Sequence, residues 1–280
     1  MFRKSLGICI GLAFAVSLAM AAGVSESGVK PSASEIVDKN VAARGGLKAW
    51  RAVQTISLQG KLGAGGNQPA ASTLVVPNRG TRPVQETVPT RPTEEAQLPF
   101  VMEMKRSHKS RIELQFKGQT AIQVFDGTHG WKLRPFLNRH EVEPYTADET
   151  EAASAQAELD GPLVDYEAKG SKVELVGSEK VGDRDTYKLA VTTHDGHVQH
   201  IWVDAQNYLE VKVEGIPRRL DGKLHPVEVY YDEYRSAPGG LVVPYVYDTR
   251  VEGVKQTEKI QVESVLVNPK LDDTLFTKLN

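Results

Sequence analysis

From Leu98 onward apolar side chains recur at every second position, a pattern satisfied by strands that each bury one face. Leu98, Phe100, Met102 and Met104 alternate with polar residues, and so do Ile112, Leu114 and Phe116, then Ile122 and Val124. The pattern returns in Leu209, Val211 and Val213 and in Val227, Val229 and Tyr231. Because the side-chain period is two, loop parity decides whether apolar faces agree. A three-residue loop over 107–109 pairs Met104 with Ile112, Met102 with Leu114 and Phe100 with Phe116. An odd loop at Lys117-Gly118-Gln119, expected as a bulge, sets Leu114 opposite Ile122 and Ile112 opposite Val124. Asp195-Gly196 reads as a two-residue hairpin turn that pairs Val191 with His200, Leu189 with Trp202 and Tyr187 with Asp204. Glu252-Gly253 pairs Tyr245 with Ile260 and Val243 with Val262 in the same way.

About ten or eleven such strands must curl on themselves or pack in two layers. Helices are few. Ser32 and Glu35 form a capping box, followed by a stripe of Ile36, Val37, Asn40, Val41 and Ala43, and Gly45-Gly46 stops the helix. A short turn through Leu47, Ala49 and Trp50 leads into a strand over 53–62. A second helix spans 146–159, with Asp148, Glu149 and Glu151 in its first half, and ends at Asp160-Gly161-Pro162. The expected fold is mainly β: an incomplete antiparallel β-barrel, or half-barrel, with an N-terminal helix and a helical lid inserted mid-chain over 146–168. A β-sandwich is the alternative. Phe100, Met102, Met104, Leu114, Phe116, Leu189, Trp202, Val211, Val229, Tyr231, Tyr245, Tyr247 and Ile260 form the expected inward wall, large and adaptable enough for a chain-like apolar ligand. Residues 63–97, rich in Pro and Gly, read as a surface loop.

The first 21 residues have the pattern of an export signal: Arg3 and Lys4, an apolar run from Leu6 to Leu18, then Ala19-Met20-Ala21. Cleavage near Ala21 would leave 22–280 as a single exported domain. The one cysteine, Cys9, lies in that signal, which excludes disulfides and thiolate chemistry from the remainder. With 34 basic and 36 acidic residues there is no electrostatic drive toward nucleic acid. His194, His197 and His200 suggest a metal, but hairpin alternation puts His200 on the other face from the first two. No nucleophile elbow, zinc-protease helix or phosphate loop occurs, and no catalytic residue, metal or cofactor is assigned.

Several motifs in order carry a resemblance. Ala43-Arg44-Gly45-Gly46 with Trp50, Phe125-Asp126-Gly127 with Trp131, Asp160-Gly161-Pro162-Leu163-Val164-Asp165-Tyr166, and Val173-Glu174-Leu175-Val176-Gly177 follow the export signal. Together they resemble the bacterial outer-membrane lipoprotein-sorting proteins, the LolA-like relatives of the periplasmic lipoprotein carrier. The resemblance implies a periplasmic carrier whose cavity under a helical lid takes a lipid or the acyl chains of a lipoprotein, without catalysis. It also implies an inner-membrane donor complex, an outer-membrane acceptor and an arginine that latches the lid, for which Arg44, Arg51 and Arg111 are candidates. A periplasmic lipid or lipoprotein sensor and a metal- or triad-dependent hydrolase are the competing readings.

Overall fold

The computed structural model describes residues 30–65 and 95–279. The export-signal reading falls outside them, as does the centre of the Pro-rich stretch. Ser32–Asn280 forms one compact unit. Helix α1 (Ala33–Ala43) starts at the expected capping box, where Ser32 and Glu35 satisfy each other's backbone N–H groups. A short α2 (Leu47–Arg51) precedes the strands.

The strands are β1 (Thr55–Gly65), β2 (Glu95–Lys105), β3 (Lys109–Phe116), β4 (Gln119–Phe125), β5 (Gly130–Arg134) and β6 (Arg139–Pro144). After helix α3 (Ala147–Gln156) come β7 (Lys172–Val181), β8 (Arg184–Thr192), β9 (Val198–Asp204), β10 (Glu210–Leu220) and β11 (Lys223–Asp232). The two-residue strands β12 (Arg235–Ser236) and β13 (Val242–Val243) pair with each other, and β14 (Val246–Val251) and β15 (Glu258–Val267) complete the set. Among the described residues thirteen strands form one antiparallel sheet in the order β6-β5-β4-β3-β2-β1-β15-β14-β11-β10-β9-β8-β7. This exceeds the expected ten or eleven, because short pieces such as β5 and β6 lack a long apolar alternation. The order is a meander in which β1 joins β15, so the two open edges, β6 and β7, are the strands that flank the helical insert. The sheet is an open barrel interrupted where the insert lies.

Register differs from expectation at four turns, with different consequences. β1 and β2 pair through Gly65 opposite Glu95, so the loop expected over 63–97 yields its flanks to strands. The β2–β3 loop is Arg106-Ser107-His108, which pairs Met102 with Ile112 and Phe100 with Leu114; this two-residue slip leaves the faces unchanged. At the β14–β15 turn Tyr247, not Tyr245, lies opposite Ile260, again with parity kept.

The β3–β4 turn is instead the two-residue Lys117-Gly118, both at positive φ (49° and 76°), and no bulge occurs. Ile122 and Val124 therefore face outward, where the 3-10 turn Asp273–Phe276 packs across β3 and β4 and Arg111 donates to the Leu275 carbonyl. The β8–β9 loop is His194-Asp195-Gly196, three residues with only Gly196 at positive φ (86°), and Leu189 pairs with Ile201. This odd loop flips β9: Ile201 and Val203 point inward, and His200 and Trp202 point outward.

The inner face packs against the helices in two clusters. Ile36 and Val37 of α1 meet Leu163, Leu189, Val191, Ile201, Val203 and Val213. Trp50 and Val53 meet Ile56, Phe100, Val164, Leu241, Val243, Val262 and Val265. Between them Gly45, at φ 108°, passes so close to the 238–241 segment that a Cβ would stand 2.2 Å from the Gly240 carbonyl oxygen. Gly45→Ala is expected to destabilise the protein by about 2 kcal/mol or more. Gly222→Ala, at φ 78° in open space, isolates the backbone strain at about 1 kcal/mol. Urea midpoints of the two variants provide the comparison.

Candidate functional site

The insert between β6 and β7 spans the open side of the barrel. Thr146 and Glu149 form a capping box that starts α3, and the Glu149 carboxylate also takes a hydrogen bond from the buried Lys132 ammonium on the inner face of β5. One residue earlier, Asp148 pairs with Arg219 of β10 at 3.1 Å. The start of α3 is thus tied to strands far apart in the sheet order, and the helix bridges the mouth. No α3 side chain is buried, in contrast to a lid that closes with its own apolar face. Ala157, Leu163 and Val164, just beyond the helix, are fully buried. Leu163 enters the α1 cluster and Val164 the Trp50 cluster, so this short segment is the apolar plug.

Cations hold the plug. Arg44, the C-cap of α1, is 8% exposed; its Nη1 donates to the Asp160 carbonyl and to Glu210 Oε1, both at 3.1 Å, and its guanidinium lies 4.5 Å from the Trp50 ring centre. The Trp50 indole N–H donates in turn to the Arg44 carbonyl. A bulge between Glu210 and Lys212 pairs Glu210 with Val203 and so turns it inward. Arg106 donates to the Trp50 and Val53 carbonyls and pairs with Asp160 at 2.8 Å, and Lys169 reaches the other Asp160 oxygen at 2.6 Å. Glu158 lies 3.0 Å from Lys169 and 3.1 Å from His108. Arg51 grips Asp165 with two hydrogen bonds. Burial alone would raise the Asp160 carboxyl, but hydrogen bonds, chiefly from Lys169 with Arg106 adding to it, hold it below the ordinary carboxylate range.

Of the latch candidates, Arg44 and Arg51 bind the insert, whereas Arg111 binds Glu113 and the C-terminal turn. Asp160, Glu210, Lys132 and Arg106 were not expected as partners. Asp160 and Glu210 meet Arg44, and Arg106 meets Asp160, through contacts across more than 50 residues of sequence, whereas Lys132 meets Glu149 across 17.

The expected wall divides. Phe100, Met104 and Leu189 lie in the packed core, and Val211 is buried within the β10 bulge. Met102, Leu114, Val229, Tyr231, Tyr247 and Ile260 share the inner face and are only half-buried. Tyr245 packs on the Trp50 cluster beneath Arg235, and Phe116 lines a 450 Å³ cavity at the β3–β4 turn. Trp202 is a correction: it lies on the outer face between Lys188 and Lys212, whose ammonium is 3.7 Å from the ring centre. His194 and His197 are exposed and His200 pairs with Glu214; no cluster able to hold a metal occurs among the described residues.

Removing Arg44 leaves Glu210 as an unpaired buried carboxylate, so Arg44→Met is expected to lower stability by about 3–5 kcal/mol. Arg51→Ala, at an exposed pair, should cost under about 1 kcal/mol. For Asp160 the folded value lies below the unfolded one, so its contribution is fully present above the unfolded value, about pH 4, and is lost as pH falls through the folded value. Asp160→Asn should therefore lower stability at neutral pH and flatten the acid limb of a urea-midpoint profile.

No family model and no curated protein sequence matches the chain. Three solved structures share its architecture. A LolA superfamily protein from Nitrosomonas europaea is 14% identical, with 89% of this chain and 98% of that chain covered and a TM-score of 0.53. A domain from Vibrio parahaemolyticus described as an outer membrane lipoprotein-sorting protein is 12% identical over 87% of this chain and 95% of that one, TM-score 0.52. A DUF1329 family protein from Desulfovibrio piger is 14% identical over 88% and 97%, TM-score 0.52. Identities this low speak to architecture, and the architecture is clear: this chain has the LolA-like fold, a large antiparallel sheet left open and bridged by helices.

Proposed function

We propose that the protein is a carrier that takes acyl chains of a lipid or lipoprotein onto the inner face of its barrel and moves them through the periplasm toward the outer membrane. The observation that carries this reading is the half-buried state of Leu58, Met102, Leu114, Tyr247 and Ile260, which pack on the Trp50 cluster and stay partly exposed. A completed core would cover them. The acyl chain extends that apolar surface, displacing or sliding beneath the plug.

Magnitudes favour the exchange. Burying a Leu or Val side chain contributes about 1.5–3 kcal/mol, so Leu163 and Val164 together hold the plug with roughly 3–6 kcal/mol. An acyl chain of about sixteen carbons gains about 12 kcal/mol at about 0.8 kcal/mol per CH2, before ordering costs. The plug is thus strong enough to shield the bare face and weak enough for an acyl chain to replace. Binding and release, with no chemical step, account for the arrangement. Among the described residues no helix is long and apolar enough to cross a membrane. An inner-membrane donor and an outer-membrane acceptor are the partners this role requires.

Native mass spectrometry of protein recovered from an exporting host, with lipid extraction, tests the proposal. An acylated adduct is expected, and added acyl ligand should raise the melting temperature. Leu163→Ala, which hollows the plug, should lose about 2–5 kcal/mol when empty and gain more from the ligand than the unaltered protein does. A protein that stays at its bare mass and shows no thermal shift in either form refutes the carrier role.

A further inference from the structure

The two core clusters meet at a polar floor that the plug's anchors do not exhaust. Tyr231 packs on the α1 cluster and Tyr247 on the Trp50 cluster, with ring centres 5.3 Å apart in an edge-on arrangement. Both side chains point inward, since they pair directly across β11 and β14 on the face that carries Ile260. Both sense the charges of Arg44 and Glu210. By contrast Tyr234, beside them, spends its hydroxyl on Glu210. Neither the Tyr231 nor the Tyr247 hydroxyl has a hydrogen-bond partner among the described residues. Arg44 Nε is buried and likewise donates to nothing. A buried donor left unmet is costly, and Arg44 Nε is such a donor; near it the two hydroxyls open onto the half-buried inner face, and together the three indicate an acceptor that belongs there.

Charge decides which acceptor. Arg44, Arg106 and Lys169 are matched by Glu210, Asp160 and Glu158, so the surrounding knot is already neutral. A carboxylate or phosphate placed beside Glu210 would arrive as an uncompensated buried anion. Burial keeps both tyrosines protonated, with Tyr247 pushed up to about 12, so they are neutral donors throughout the working pH range. An uncharged carbonyl, with two lone pairs and no net charge, fits.

We propose that Arg44 Nε, Tyr231 and Tyr247 form a head-end anchor for the neutral carbonyl of an esterified or amide-linked acyl group, and that the site thereby selects acyl esters and amides over free fatty acids. This rests on the acyl-carrier reading and names the ligand class it takes. The aliphatic tail lies along Met102, Leu114 and Ile260, and the carbonyl sits where the two clusters meet.

The test compares binding of monolauroylglycerol, N-lauroylethanolamine and laurate at pH 8, by displacement of the apolar fluorophore N-phenylnaphthylamine from the purified protein. The ester, the amide or both should bind about tenfold or more tightly than laurate; preference between the first two identifies a glycerolipid or an N-acylated source. Tyr231→Phe/Tyr247→Phe should lose that preference, read as the ratio of ester or amide affinity to laurate affinity within the same variant so that any change in fluorophore affinity cancels, and Tyr247→Phe alone should lose part of it if the double variant does not fold. Laurate binding as tightly as the ester, or a preference that survives loss of both hydroxyls, overturns the anchor and leaves the carrier reading intact. Failure of all three ligands and the fluorophore to bind overturns the carrier reading itself.

Discussion

One buried cation organises this protein. The Arg44 guanidinium closes α1, lies against Trp50, holds Glu210 of β10 and takes the carbonyl of Asp160 from the insert. It thereby joins the N-terminal helix, the far wall of the sheet and the removable segment at one point. Burying a charge in an apolar interior is unfavourable unless it is paired and hydrogen-bonded, and the neighbouring elements are arranged to do so. The bulge at Glu210 turns a carboxylate inward, and Gly45 brings the 238–241 segment close enough for Val242 N–H to meet the Arg44 carbonyl at 3.0 Å. Remove the charge and these local irregularities lose their purpose.

Open sheets normally need their edges protected and their apolar face covered. Here one insert does both. It begins at the end of β6, bridges the mouth by way of Lys132 and Arg219, and drops Leu163 and Val164 into the two clusters before β7 begins. Its attachments are mainly ionic at the rim and apolar at the plug. Ion pairs near the surface add modest stability but strong orientation, whereas the apolar contacts supply most of the holding energy and are the ones an acyl chain reproduces. A ligand therefore replaces the energetic part of the closure without having to replace its geometry.

How much of this was legible depends on parity. A two-residue slip in a hairpin keeps every side chain on its face, so the inward placement of Met102, Leu114, Tyr247 and Ile260 survives wrong registers at two turns. A one-residue error does not. Asp195-Gly196 matches the strongest short hairpin signal, yet only Gly196 takes positive φ, and the three-residue loop moves Trp202 to the outside. At the β3–β4 turn the reverse happened, because Ile122 and Val124 are apolar for the sake of a C-terminal turn some 150 residues away that covers the outer face. Alternation reports that a face is covered; it does not report by what. The same blindness hid Asp160 and Glu210, whose roles arise from charges that meet only after the sheet has curled.

The polar knot also explains why an apolar binding face can contain tyrosines at all. A cavity lined only by Leu, Val and Met would bind by area and discriminate poorly, since one methylene more or less is worth about 1 kcal/mol. Donors set at the floor of an otherwise apolar face discriminate far more strongly, because a ligand that cannot meet them leaves them buried and unpaired. Arg44 already has a countercharge in Glu210, so its remaining N–H has the character of a neutral donor, matched to the two hydroxyls beside it. The residue that closes the barrel therefore also sets the polarity of its floor. The ion pair that makes the fold stable leaves the site neutral and so unfavourable to an added charge, and closure and selectivity share a single physical origin.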